Sequence, residues 1–108
     1  MAASETIRAE VGGWPGVETG PGRFGSIRFT LGRRELGHIH GESLADLPLR
    51  PERARELIAA GEAREHRWTK AGSGWVSVDL GSEAAVRRVI ELMRASYERA
   101  MSKQAERA

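Results

Sequence analysis

The spacing of glycine and proline limits what this chain can fold into more than any other feature. Thirteen glycines and four prolines fall among 108 residues. Breaks at Gly12-Gly13, Gly20-Pro21-Gly22, Gly32, Gly61, Gly72-Ser73-Gly74 and Gly81 cut the chain into short pieces. Such pieces, joined by tight glycine turns, favour hairpins and an antiparallel sheet over parallel strands, which need long crossovers. Ile27, Phe29 and Leu31 alternate with Arg28 and Thr30, the pattern of a half-buried strand. Gly32-Arg33-Arg34 turns the chain, and Glu35 to His40 returns as a second strand. Val76, Val78 and Leu80 alternate with Trp75, Ser77 and Asp79 in a third. Leu44 to Leu49 reads as a short edge strand, because Pro48 cannot donate to a ladder on both sides. A weak strand is expected over 62–68.

Helices fill the remaining pieces. The first is expected to start at a Ser4 cap, to carry Ile7 and Val11 on one face, and to stop at Gly12-Gly13. Pro51 suits the first position of the second helix and Gly61 the residue beyond its end. Gly81-Ser82 precedes the longest helix, whose stripe is Val86, Val89, Ile90, Met93, Tyr97 and Met101, with Ile90 expected near the centre of its contact. The order predicts an α+β two-layer sandwich: a mainly antiparallel sheet of about five strands with helices on one face. The length suits a single domain over 1–101, with 102–108 as a frayed tail.

Composition excludes several functions. There is no cysteine, hence no disulfide, thiolate ligand or cysteine nucleophile. No apolar run approaches a membrane span and the N-terminus lacks a signal-peptide core, so a cytoplasmic protein with no membrane partner is expected. The net charge is only +2, with arginines interleaved among glutamates, as on a solvated mixed-charge surface. No phosphate-binding loop and no nucleophile elbow occurs.

Alternation then assigns the second face of the sheet. It is expected to hold Arg28, Thr30, Leu36, His38, His40, Trp75, Ser77 and Asp79, joined by His66 and Trp68 if the weak strand runs in that register. Gly37 and Gly41, with Glu35 and Ile39, fall on the opposite side of their strand, and the missing side chains imply another element pressing close. Arg28, His38, His40, His66, Trp75 and Ser77 are the candidate ligand-binding residues. His38, His40, Asp46 and Asp79 are the candidate catalytic ones, since imidazole beside carboxylate suits acid–base work. No metal is expected from so short a motif. If one is held, His38 and His40 at i, i+2 would present two imidazoles, with His66, Asp46 or Asp79 as the third ligand. Structural hydrogen bonding is the competing role for these histidines, and core filling the competing role for the tryptophans.

The strings Arg34-Glu35-Leu36-Gly37-His38-Ile39-His40-Gly41 and Leu44-Ala45-Asp46-Leu47-Pro48, with Gly61-Glu62-Ala63 and Ser73-Gly74-Trp75-Val76-Ser77, resemble the small bacterial luciferase-domain proteins. The resemblance spans about Gly25 to Tyr97. It implies no established reaction and assigns no role to His38, His40 or Asp46, which match its motif. The family name is shared with larger light-emitting fungal proteins, a distant hint of cofactor-free oxygenation. Trp14-Pro15-Gly16-Val17-Glu18 and Ser96-Tyr97 are similar to the YjbR-like double-wing proteins, which share a frataxin-like sandwich and some of which are thought to bind DNA. The expected function is therefore a small ligand-binding or interaction domain using the open sheet face. The alternatives are an enzyme with a histidine–carboxylate site, metal-assisted or cofactor-free, and a nucleic-acid module. The last requires Arg28, Arg33 and Arg34 to merge with Arg64, Arg67 and Lys70. Cofactor and partner are undetermined: a small molecule or a protein, with nucleic acid and homo-oligomerisation left open.

Overall fold

The computed structural model describes residues 2–67 and 69–107. Its elements follow the punctuation: α1 (Ala3–Val11), β1 (Val17–Pro21), β2 (Ile27–Leu31), β3 (Arg34–His40), β4 (Leu44–Pro48), α2 (Pro51–Ala59), β5 (Arg64–Glu65), β6 (Trp75–Asp79) and α3 (Glu83–Arg107). The six strands form one antiparallel sheet in the order β1-β2-β3-β4-β6-β5. Three helices on one face complete the two-layer α+β sandwich. Trp68 lies outside the described residues, so its expected place on the open face has no counterpart here.

The helix-covered face is apolar. Phe29, Ile39, Ala45, Leu47 and Val76 are fully buried there, sealed by Ile7 and Val11 of α1, Leu57 of α2, and Val89 and Met93 of α3. Burying these side chains is the main stabilising term, each of those larger than Ala45 contributing about 1.5–3 kcal/mol if fully transferred from water. Ile90 sits beside this contact rather than at its centre. Val89 and Met93 are completely buried while Ile90 is partly exposed, and Met101 is 40% exposed. The stripe of α3 thus runs through Val86, Val89, Met93 and Tyr97, with Leu92 and Ser96 also buried beside it. At its far end Tyr97 donates a hydrogen bond to the Pro15 carbonyl (2.7 Å) and lies 5.3 Å from the Trp14 ring, tying the turn after α1 to α3.

Three expectations need correcting. β4 is a central strand, flanked by β3 and β6. Pro48 is its last residue, paired with Trp75, where the missing N–H interrupts no continuing ladder. Ser4 does not cap α1. Ala2 occupies that position without a side-chain bond, and Ser4 binds Glu42 through both its backbone N–H (2.9 Å) and its hydroxyl. The weak strand contracts to Arg64–Glu65.

A further correction shapes the site. Phe29 pairs with Gly37 but Thr30 pairs with Glu35, so Leu36 is an extra residue, a β-bulge. The bulge resets the alternation: Leu36 enters the core, at 1% exposure, and Glu35 moves to the side of His38. Gly37 makes this possible. Its φ is +150°, and a Cβ there would stand 2.7 Å from Leu47 Cδ2 and 2.9 Å from Met93 Cε. The close approach implied by that glycine is therefore α3 lying directly on β3.

Candidate functional site

On the uncovered face, the pairings His38↔Asp46 and Asp46↔Ser77 line up three residues across β3, β4 and β6. His40 follows His38 by two positions. His66, just past β5, is held opposite Trp75 by a backbone bond from its N–H to the Trp75 carbonyl (3.2 Å). All three histidines of the chain consequently meet at one atom. The Nε2 atoms of His38, His40 and His66 lie 3.1, 3.0 and 3.2 Å from Asp46 Oδ2. Ser77 donates to the other oxygen, Oδ1, at 2.6 Å. Glu35, delivered by the bulge, lies 2.6 Å from His38 Nδ1.

Asp46 is 3% exposed although it lies on the open face. The histidines cover it, with Trp75 beside two of them: its ring is 5.8 Å from that of His38 and 5.7 Å from that of His66. Burial by itself would raise the Asp46 carboxyl. Hydrogen bonds from His38 and Ser77 and the charges of His66 and His38 outweigh it, holding the group well below the ordinary carboxylate range. His38 is pushed up to about 9, chiefly by its hydrogen bonds to Asp46 and then Glu35, against a smaller opposing effect of burial. Without another cation, His38 is an imidazolium clamped between two carboxylates.

Of the sequence candidates, His38, His40, His66, Asp46, Ser77 and Trp75 come together. Arg28 is exposed and opposite His38 in the β2–β3 register. Asp79 does not join. Its side chain is 73% exposed and paired with Arg64 at 2.8 Å, so it is neither a ligand nor a partner for the histidines. Leu36, expected on this face, is in the core. Glu35 was assigned to the wrong face by simple alternation. The one available signal for it is Gly37, since an isolated glycine inside a strand marks bulges. Of the arginines named for a nucleic-acid patch, Arg34 and Arg64 line separate grooves.

An α+β sandwich with a histidine–carboxylate cluster on its uncovered face is the class that fold and site define. The luciferase-domain family model matches residues 33–96, more than half of the chain, and the chain belongs to that family. The matched span contains every residue of the cluster, from Glu35 to Ser77. No curated protein and no solved structure matches the chain.

Proposed function

We propose that this luciferase-domain protein is a ligand-binding domain whose binding centre is the cluster around Asp46, and that its ligand there is a divalent first-row transition metal. The observation that carries this reading is the convergence of three imidazole nitrogens on one carboxylate oxygen. That oxygen offers about two lone pairs, too few for three ring donors. A metal ion is satisfied by such a set. Ligand atoms about 2.05 Å from a tetrahedral ion stand about 3.3 Å apart, close to the 3.0–3.2 Å separations between the histidines and Asp46 Oδ2. The ligand atoms of His38, Asp46 and His66 all lie within 4.8 Å of one another. His40, whose Nε2 also approaches Asp46 Oδ2, stands outside that set of three, which leaves the fourth position to substrate or water.

The surroundings support the same reading. A ligating histidine usually hands its other nitrogen to a carboxylate, and a ligating carboxylate is itself hydrogen-bonded. Glu35 on His38 and Ser77 on Asp46 meet both requirements. Imidazoles with one carboxylate suit zinc, iron, cobalt or nickel rather than calcium or magnesium.

Calorimetric titration of zinc into the EDTA-treated full chain tests the proposal. One equivalent should bind with a dissociation constant of about 1 µM or tighter, and Asp46→Ala should weaken binding at least about 100-fold. Binding weaker than about 1 mM, or binding indifferent to Asp46, overturns it. Acid–base chemistry at His38 is the second reading, favoured by the Glu35–His38–Asp46 chain of hydrogen bonds. It needs no ion, and predicts that zinc fails to bind while Asp46→Ala still abolishes ligand recognition.

A further inference from the structure

A second concavity, about 500 Å³, lies where the start of β3 and the end of β4 meet the last turns of α3. Arg34, Arg50, Arg99 and Lys103 line it, against a single carboxylate, Glu35. Glu35 is already engaged by His38. Elsewhere Arg53 pairs with Glu56, Arg64 with Asp79, Arg88 with Glu62 and Arg94 with Glu98. Among the described residues, Arg34, Arg99 and Lys103 form no ion pair, and Arg50 alone reaches a carboxylate, the exposed Glu52.

Two features mark the groove as more than a solvated basic patch. Ser96 lines it, is 4% exposed, and its Oγ is buried with no hydrogen-bond partner. A helical serine ordinarily satisfies its hydroxyl on the carbonyl four residues back or in water, and an orphaned buried hydroxyl is uncommon. Arg99, partly buried, has its guanidinium disfavoured first by desolvation and then by the positive charges of Arg50 and Arg34, with Glu52 opposing. Arginine does not release its proton at ordinary pH, so Arg99 keeps a partly desolvated charge beside two others, which a bound anion would offset.

We propose that this groove binds a small multivalent oxyanion, a phosphate or the phosphoryl group of a small molecule. The guanidinium forks of Arg34 and Arg99 grip its oxygens, Ser96 donates from beneath, and Arg50 and Lys103 supply further positive charge. Such planar bidentate donors suit tetrahedral oxyanions better than point charges do. The site borders the Asp46 cluster through Glu35, but its proposed anion donors include none of the histidines and do not rest on metal binding.

The test is titration of inorganic pyrophosphate into the EDTA-treated full chain at low ionic strength, about 20 mM, followed by calorimetry. The expected result is saturable one-site binding that weakens as salt rises. Arg99→Gln should weaken it at least about 10-fold, whereas Arg87→Gln, which removes the same charge from an exposed position on the same helix, should leave it unchanged. Both residues lie outside the core, and thermal melts report whether each variant is folded. His66→Ala should retain pyrophosphate binding, which separates this proposal from the one made for the histidines. Absence of saturable binding, or equal losses in Arg99→Gln and Arg87→Gln, overturns it. So does tight binding of a single-stranded oligonucleotide by a chain that does not bind pyrophosphate.

Discussion

The two faces of the sheet are built from the same strands by opposite rules. The helix-covered face is close-packed hydrocarbon, where Phe29, Ile39, Leu47, Val76, Val89 and Met93 are held by contact alone. The open face is held by geometry: three rings and a hydroxyl arranged about one buried carboxylate. Hydrocarbon burial is non-directional and independent of pH, whereas the Asp46 cluster depends on orientation and on protons. The covered face thus maintains the fold, and the open face is free to spend its order on binding.

Truncation at the centre of the covered face should give the largest effect. Met93→Ala removes a fully buried side chain that packs on Gly37, and should lower unfolding stability by about 2–5 kcal/mol at any pH where the protein is folded. Urea denaturation measures it. A loss below about 1 kcal/mol would detach α3 from the sheet and dissolve the contrast between the faces.

The open face should respond to pH instead. In the metal-free protein, His38 has a folded pKa of about 9, above its ordinary 6.5. Its stabilising contribution is complete below pH 6.5 and is lost as pH rises through 9. The loss should be on the order of 2 kcal/mol, allowing for solvent screening of a partly exposed ring. Asp46, shifted down, acts at the other end: its contribution is present above the ordinary carboxylate range and disappears only in strong acid. Urea midpoints should therefore be highest between about pH 4 and 6.5, and His38→Gln should flatten the alkaline side of the profile. An unchanged alkaline slope in that variant would move the titration to another group.

Ile90→Ala gives the smallest effect. With its side chain only partly buried at the margin of the α3 contact, about 1 kcal/mol is expected. A loss matching that of Met93→Ala would restore Ile90 to the centre of the helix stripe.

The two faces were also unequally legible from the residues. Period-two alternation in β2 and β6 placed Phe29, Val76 and Val78 correctly, because each strand is regular through those positions. It failed at Leu36 and Glu35, where a bulge one residue long reverses every assignment on one side of it. Pro48 argued for an edge strand. It stands at the end of a central one, a distinction set by which strand pairs beyond it and not by local sequence. The candidate site was visible as a list of residue types, His38, His40, His66 and Asp46. Their meeting at one oxygen was not, since it depends on the β3–β4–β6–β5 strand order, which joins segments almost 30 residues apart. Asp79 failed as a candidate for the same reason: it shares the face but lies toward Arg64, beyond reach of the rings.

The three histidines of the chain are also its only imidazoles, which makes the central claim directly observable. Long-range nitrogen-15 correlation spectra of the imidazole rings, recorded before and after one equivalent of zinc, report each Nε2 separately. Metal coordination through the cluster predicts that the Nε2 resonances of His38 and His66 shift together at one equivalent, and that both rings lose their Nε2 protons while His38 keeps its Nδ1–H toward Glu35. Rings that respond to pH but remain unmoved by zinc would contradict the account.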